Sequence, residues 1–488
     1  MRNLFQHVSP GSGDWAAGTY LFFSQLAVMV VCVSPLLAAG FPPAIITVSV
    51  LPAFAWQHIV GHGYCAISAL RLARREKRRS VTALPGLGVD LVGGLAVTLG
   101  VMMPTWLDTG DPYLTWGLGL GANLLFGLTK LFFCPLAAWL KRVVPRAALL
   151  GLLGGLLLVY VGTTYGITAM EQPYLAFFAI GVMTASMFGQ WLDRVPLIPV
   201  VIVLGPVIGY ASGHWSLPAG ALEISPALGQ FTSAGLSHLG TAVSRYSPLI
   251  IPLALGNQLL RSLSNIEAAE VVGDAYDPRA LLFVDGLVTT VGGAFVGSWM
   301  PTFLLAGQPG WKESGARIMY PGIAAVAYAL TGFTGILWFL QESIPEGVIA
   351  GIFIWLALSV TNAAIKGAPP NHTPALLFSF IPVAAHLVVS QAVDGADAHS
   401  LRALAAGFPF TAVVWAAVVV YLIERDPYRS AGWCLVGALL SLLGLMHSSM
   451  LGVHATSLPI VAGYAIWGST ILLVYAINTM LEGTRRSR

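Results

Sequence analysis

The chain has 488 residues, of which 56% are hydrophobic and only 9% charged, and its net charge is +3. A soluble protein of this length carries charged side chains over most of its surface, so the composition excludes a soluble globular enzyme and implies an all-α polytopic membrane protein. Cys32, Cys65, Cys134 and Cys434 stand singly in apolar runs, a distribution that gives no disulfide framework and reads as four small buried hydrophobes.

Apolar windows of spanning length fall at 17–39, 43–70, 81–104, 113–140, 147–170, 174–191, 195–212, 248–273, 279–299, 300–317, 318–340, 346–366, 373–394, 404–424, 430–450 and 457–481. That predicts sixteen spans. The first follows MRNLFQHVSPGSGDW without a small-residue cleavage site and reads as a retained helix. With the N-terminus inside, alternate connections hold 20 of the 24 basic residues: Arg2, RLARREKRR (71–79), KRVVPR (141–146), Arg194, Arg279, Lys312, Arg317, Lys366, Arg425, Arg429 and RRSR (485–488). Lys130 and Arg261 lie within spans, and Arg245 and Arg402 on the other side. The alternation predicts both termini on the cytoplasmic side of the inner membrane.

Two windows depart from a regular helix. The third opens VTALPGLGVD (81–90) and the tenth contains SWMPTFLLAGQPG (298–310), with Pro and Gly where a helix loses hydrogen bonds. Irregular backbone survives at membrane depth only around a protein-lined cavity. Seven spans separate the two, an odd number, which is the mark of an inverted repeat with broken helices near the midplane.

The eighth window carries GNQLLRSLSNIEAAEVVGD (256–274). Counting from Pro248 at about 1.5 Å per residue, Asn257 and Gln258 lie about 13–15 Å deep in a hydrocarbon core about 30 Å thick. Asn257, Gln258, Arg261, Ser264 and Asn265 share an arc of about 120°, while Glu267 and Glu270 project elsewhere. A charge at mid-bilayer costs at least about 2.5–3.5 kcal/mol, so Arg261 needs a partner, water or an anionic ligand. His58 and His62, at i and i+4 on the second span, mimic a metal pair but have no third ligand in sequence, and a packed or hydrogen-bonded pair is the expected reading. The run GLGLGANLLFG (117–127) lies inside a span and has no phosphate-loop lysine, so its glycines read as close helix packing. No enzymatic motif, metal site or cofactor site is evident.

Residues 265–317, NIEAAEVVGDAYDPRALLFVDGLVTTVGGAFVGSWMPTFLLAGQPGWKESGAR, resemble the eighth-to-tenth-span block of the nucleobase-ascorbate transporter family, the xanthine/uracil permeases. VTALPGLG (81–88) resembles the same family's third-span entry, and IPEGVIAGIFIW (344–355), HTPALLFSFIP (372–382) and AGWCLVGALLSLLGLMHS (431–448) resemble later blocks of a divergent bacterial subgroup. The resemblance implies a seven-plus-seven inverted repeat with two further C-terminal helices. It implies core helices at 1–146 and 247–341, gate helices at 147–246 and 342–425, and the additional helices at 426–488. It further implies a substrate site at Gln25, Leu84, Pro85, Gly86, Asn257, Gln258, Arg261, Thr302, Phe303 and Gln308, in which Gln258 and Gln308 hold a planar heterocycle between them.

Well-studied members carry carboxylates at the two glutamine positions. An amide offers donors and an acceptor to a lactam edge but takes up no proton. Coupling to H+ or Na+ then falls to Asp90, Glu267, Glu270, Asp285 or Glu313. The expected function is a secondary transporter, a permease or symporter, for a nucleobase-like solute working by alternating access, with homodimerisation through gate helices as in relatives and no nucleic-acid partner. Arg261 supports an alternative, a small organic or inorganic anion carried or conducted on the same fold, because a guanidinium suits an anion better than neutral uracil. A non-transporting membrane scaffold is the rival class.

Overall fold

The computed structural model describes residues 10–189, 197–218, 226–390, 398–448, 451–453 and 457–486. In lipid every backbone polar group has to be paired within the protein, so the apolar runs become helices wherever Pro or Asp starts them and nothing interrupts the ladder. Helix α1 (Ser12–Ala38) and helix α2 (Pro43–Glu76) open the described chain, and α2 stops at Lys77, whose φ of 53° is left-handed. The chain then runs extended to strand β1 (Leu87–Val89), and Asp90 caps α3 (Leu91–Thr109) by accepting from the Gly93 amide at 2.8 Å. Asp111, followed by Pro112, starts α4 (Pro112–Val143), accepting from the Tyr113 and Leu114 amides. Next come α5 (Arg146–Glu171) and two shorter apolar helices, α6 (Pro173–Gly189) and α7 (Leu197–Ala211).

The polar eighth window follows α8 (Ala234–Thr241) and is not one regular helix. Leu253–Leu260 winds as a π-helix and gives way to α9 (Arg261–Val271). Asp277 and Pro278 start α10 (Pro278–Val296), after which the chain is extended through β2 (Thr302–Leu304) and makes only a short helix, α11 (Gln308–Glu313). The remaining elements are α12 (Tyr320–Thr334), α13 (Ile336–Glu342), α14 (Glu346–Gly367), α15 (Pro370–Ser390), α16 (Ala398–Ala405), α17 (Phe408–Ile423), α18 (Pro427–Leu442) and α19 (Leu458–Arg486).

Among the described residues nine helices are long and apolar enough to span a membrane, and bent pairs at α12–α13 (89°) and α16–α17 (75°) raise the number to eleven. The sixteen windows over-count unbroken spans for local reasons. The eighth window is split by π-helix and charge, and the tenth is extended backbone with a turn and a half of helix; the sixth and seventh windows fall partly outside the described residues. Arg2, Arg194 and Arg488, used in the charge count, lie outside the described residues.

The chain divides into two compact units. The first is drawn from Met1–Ala138, Tyr165–Val243 and Leu253–Trp355, the second from Trp139–Thr164, Ser244–Pro252 and Leu356–Arg488. In the first, α12 packs on α1 and α2, and α8 and α10 pack on α4. The α4–α10 approach needs glycine: a Cβ on Gly293 would lie 2.5 Å from the Leu124 backbone nitrogen. β1 and β2 pair antiparallel, with Leu87 opposite Leu304, Gly88 opposite Phe303 and Val89 opposite Thr302. The interrupted third and tenth spans thus meet as a two-stranded ribbon, each strand supplying the hydrogen bonds that its own helix lacks. The second unit buries Val414, Ala438, Met446 and Tyr464 among α17, α18 and α19, and Tyr464 Oη accepts from Trp415 Nε1 at 2.8 Å.

Candidate functional site

The extended backbone of the tenth span is held residue by residue. Carbonyls accept from Trp116 at Gly297 (3.1 Å), Asn123 at Ser298 (2.7 Å), Gln57 at Met300 (3.1 Å), the Asp90 amide at Pro301 (2.8 Å), Lys130 at Thr302 (2.7 Å) and Asn265 at Leu304 (2.7 Å). The Thr302 amide donates to Thr289, the Leu304 amide to Ser262, and the Leu305 amide to the Gly86 carbonyl. Polar side chains from α2, α4, α9 and α10 therefore do the work of a missing helix. This explains why Asn and Gln sit in otherwise apolar runs.

Asp90, at the N-terminus of α3, gathers the polar π-helical turn. Its Oδ2 accepts from Asn257 Nδ2 at 2.6 Å, Gln258 Nε2 at 3.1 Å and the Gly93 amide at 2.8 Å. Asp90 and Gln258 are buried, and Asp90 Oδ1, Asn257 Oδ1 and Gln258 Oε1 have no hydrogen-bond partner among the described residues. Arg261, one turn on, lays its guanidinium over the Phe303 ring of β2 at 4.6 Å. Among the described residues no carboxylate lies within ion-pair distance of it, although the field of Arg261 reaches Asp90. Gln25 Oε1 is paired with His58 Nε2 at 3.3 Å, and His58 Nδ1 with the Phe54 carbonyl at 2.8 Å.

Leu84, Pro85 and Gly86 form the buried extended entry to β1. Gly86 has φ 125°, and a Cβ there would lie 2.7 Å from His62 Nδ1, so only glycine fits. Thr302 and Phe303 are buried on β2. The structure therefore brings Asp90, Asn257, Gln258, Arg261, Thr302 and Phe303 to the ribbon where spans three and ten meet.

Gln308 lies in a different hydrogen-bonded cluster. Its Nε2 donates to Asp274 Oδ2 at 2.8 Å and to the Thr82 carbonyl at 3.1 Å, and it shares no partner with Gln258. α11 begins at Gln308, whose amide is engaged by the loop after α9, whereas that of Gln258 is engaged by Asp90. There Asp274 is a hub: Oδ1 accepts from Arg78 at 3.1 Å, and Oδ2 from Lys312 at 2.8 Å and the Thr82 amide at 3.2 Å. Tyr276 joins it by donating to the Thr82 carbonyl at 2.6 Å. Burial pushes the Tyr276 phenol well above its ordinary range, and the hydrogen bond to Glu76, followed by that to Asp274, raises Arg78.

The five carboxylates assigned to coupling are dispersed. Asp90 and Asp285 are buried, Glu270 and Glu313 are exposed, and Glu267 is half-buried on α9. Asp285 Oδ1 meets Lys130 Nζ at 3.0 Å, an ion pair with both side chains removed from solvent. Sequence reasoning missed Lys130 and Asp274 as functional candidates. Lys130 gave a signal as a lysine inside an apolar span, where ionisable residues mark function.

No family model matches the chain, and no curated protein matches it in sequence. Solved structures do match in fold. The transmembrane domain of a cyanobacterium bicarbonate transporter, BicA, aligns with a TM-score of 0.53 and 15% identity over 80% of this chain and 97% of that one. The structure of SLC26A9 aligns with a TM-score of 0.51 and 9% identity over 76% of this chain and 62% of that one. The resemblance to nucleobase-ascorbate transporters finds no support in these likenesses, which fall on other transporters. The chain is a multi-pass, all-α membrane protein with the inverted-repeat fold of a membrane transporter, its third and tenth spans broken and paired to each other.

Proposed function

We propose that the chain is a secondary transporter for a small oxyanion of the bicarbonate or carboxylate class, held at Arg261 beside the β1–β2 ribbon and exposed alternately to the two sides of the cytoplasmic membrane. The observation that carries this reading is a half-buried guanidinium stacked on Phe303, with no carboxylate partner among the described residues, on the fold of a protein described as a bicarbonate transporter. A desolvated guanidinium favours a planar oxyanion, which it binds through two parallel N–H donors. The uncommitted oxygens of Asn257 and Gln258, on the turn before it, accept from the hydroxyl that a hydrogencarbonate ion carries. A neutral nucleobase makes no use of the cation. Glutamine pairing across it loses its basis once Gln258 and Gln308 occupy separate clusters.

The test is uptake into proteoliposomes of labelled bicarbonate, sulfate and formate, alongside uracil and xanthine. Saturable accumulation of at least one anion is expected. Arg261→Ala is expected to lower its initial rate by about 10- to 100-fold, the equivalent of one or two charge-assisted hydrogen bonds. Uptake of nucleobases alone would overturn the reading, and non-saturable anion current would assign the protein as a channel.

A further inference from the structure

The ion pair inside the first unit has the make-up of a cation site. Lys130 Nζ, fully buried, lies 2.6 Å from Thr289 Oγ1, 2.7 Å from the Thr302 carbonyl, 3.0 Å from Asp285 Oδ1 and 3.5 Å from the Asp285 carbonyl. An ammonium has three protons, and three oxygens receive them at hydrogen-bond distance. The hydroxyls are ordered to leave those oxygens as acceptors. Thr302 Oγ1 donates to Asp285 Oδ1 at 2.8 Å, and Thr289 Oγ1 has its own outlet to the Asp285 carbonyl at 3.1 Å. Asp285 Oδ2 is buried and has no partner among the described residues.

We infer that Lys130 is a tethered cation occupying an oxygen cage otherwise suited to a free monovalent ion, so that transport requires no dissociable sodium at this position. A carboxylate, a hydroxyl and a carbonyl from unwound backbone are the oxygen ligands that broken spans offer to hard cations. Asp285 and Thr289 come from one face of α10 at i and i+4, Thr302 comes from the interrupted tenth span, and the charge arrives covalently from α4. A dissociable ion joins the broken span to its neighbours only when bound. Lys130 joins them permanently. The consequence for coupling rests on the transporter reading above, but the cage itself does not, and the two are tested separately.

The binding test is thermal unfolding of the purified chain in sodium, methylammonium or choline chloride at equal ionic strength, for the wild type, Lys130→Ala and Lys130→Ala/Asp285→Asn. The wild type is expected to unfold at the same temperature in all three salts. Lys130→Ala is expected to unfold earlier in choline, which is too large for the cage, and to recover by about 2–4 °C in sodium or methylammonium as the free cation binds the folded state. The double variant, with its carboxylate removed, is expected to show no such recovery. A sodium-dependent wild type, a single variant indifferent to the cation, or equal recovery in the double variant would overturn the inference. Failure of Lys130→Ala to fold in any of the salts counts equally against it, because the cage then accepts no free cation. In vesicles, anion uptake by the wild type is expected to stay within about twofold when sodium is replaced by choline; if no anion is taken up at all, the function proposal fails while the unfolding data still decide the cage.

Discussion

Four donors converge on Asp274: Arg78, Thr82, Gln308 and Lys312. Removing the carboxylate leaves Thr82 and Gln308 with buried donors and frees two cations that reach water only in part. Asp274→Ala is therefore expected to destabilise the protein by about 1.5–3 kcal/mol, the range for hydrogen bonds to a charged group, measurable as earlier thermal unfolding with unchanged oligomeric state. Gln308→Ala removes one of those four donors and is expected to lower stability slightly while leaving anion affinity within about twofold, since Gln308 stands in the Asp274 cluster and not beside Arg261. Loss of binding in Gln308→Ala would restore the pocket implied by the nucleobase resemblance. Sequence reasoning singled out Gln308 and passed over Asp274 because the value of both depends on contacts with residues far away in the chain.

At the scale of elements, the two interruptions were legible. Pro85 with Gly86, and Pro301 with Gly307, mark backbone that helices exclude, and their odd separation predicts that they approach from opposite directions. Their pairing as β1 and β2, residue against residue, was not legible, since LGV and TFL carry no strand signal apart from the ribbon they make together. The eighth span illustrates the same limit. Its polar stripe was read with regular helical spacing, but Leu253–Leu260 is π-helical, and Asn265, assigned to the same stripe, spends its amide on the Leu304 carbonyl. π-Helical turns arise from tertiary constraint and recur at functional sites. The ribbon also makes a test at Gly86. Gly86→Ala places a methyl against the His62 ring at a φ that L residues avoid, and is expected to cost about 1–3 kcal/mol of stability, read in the same unfolding assay. A neutral effect would mean that the third-span entry is not held as described.

For the whole molecule, composition alone established the membrane class, and alternating Lys and Arg implied the crossing parity. Among the described residues the unbroken helices are fewer than the windows, because a hydropathy window registers apolar length and is blind to bends such as the 89° one between Thr334 and Ile336. The fold likeness to BicA at 15% identity shows how little of such an architecture is recorded in matched residues: packing accepts many hydrophobic solutions, while broken spans and their polar supports are constrained by unpaired backbone. Substrate class depends on the few side chains left over once that backbone is satisfied. Of the residues gathered at the ribbon, Lys130, Asn265 and Ser262 are committed to backbone, and Asn257 and Gln258 give their amide nitrogens, but not their oxygens, to Asp90. Arg261 lies over the Phe303 ring with no ion-pair partner among the described residues.

The most direct measurement is therefore the equilibrium affinity of the purified protein for bicarbonate, compared with that of Arg261→Ala and Arg261→Lys. Saturable binding is expected in the wild type, weakened by at least about tenfold in Arg261→Ala and only partly restored by lysine, which supplies charge without the planar fork. Equal affinity in all three proteins would contradict the assignment of the anion to Arg261.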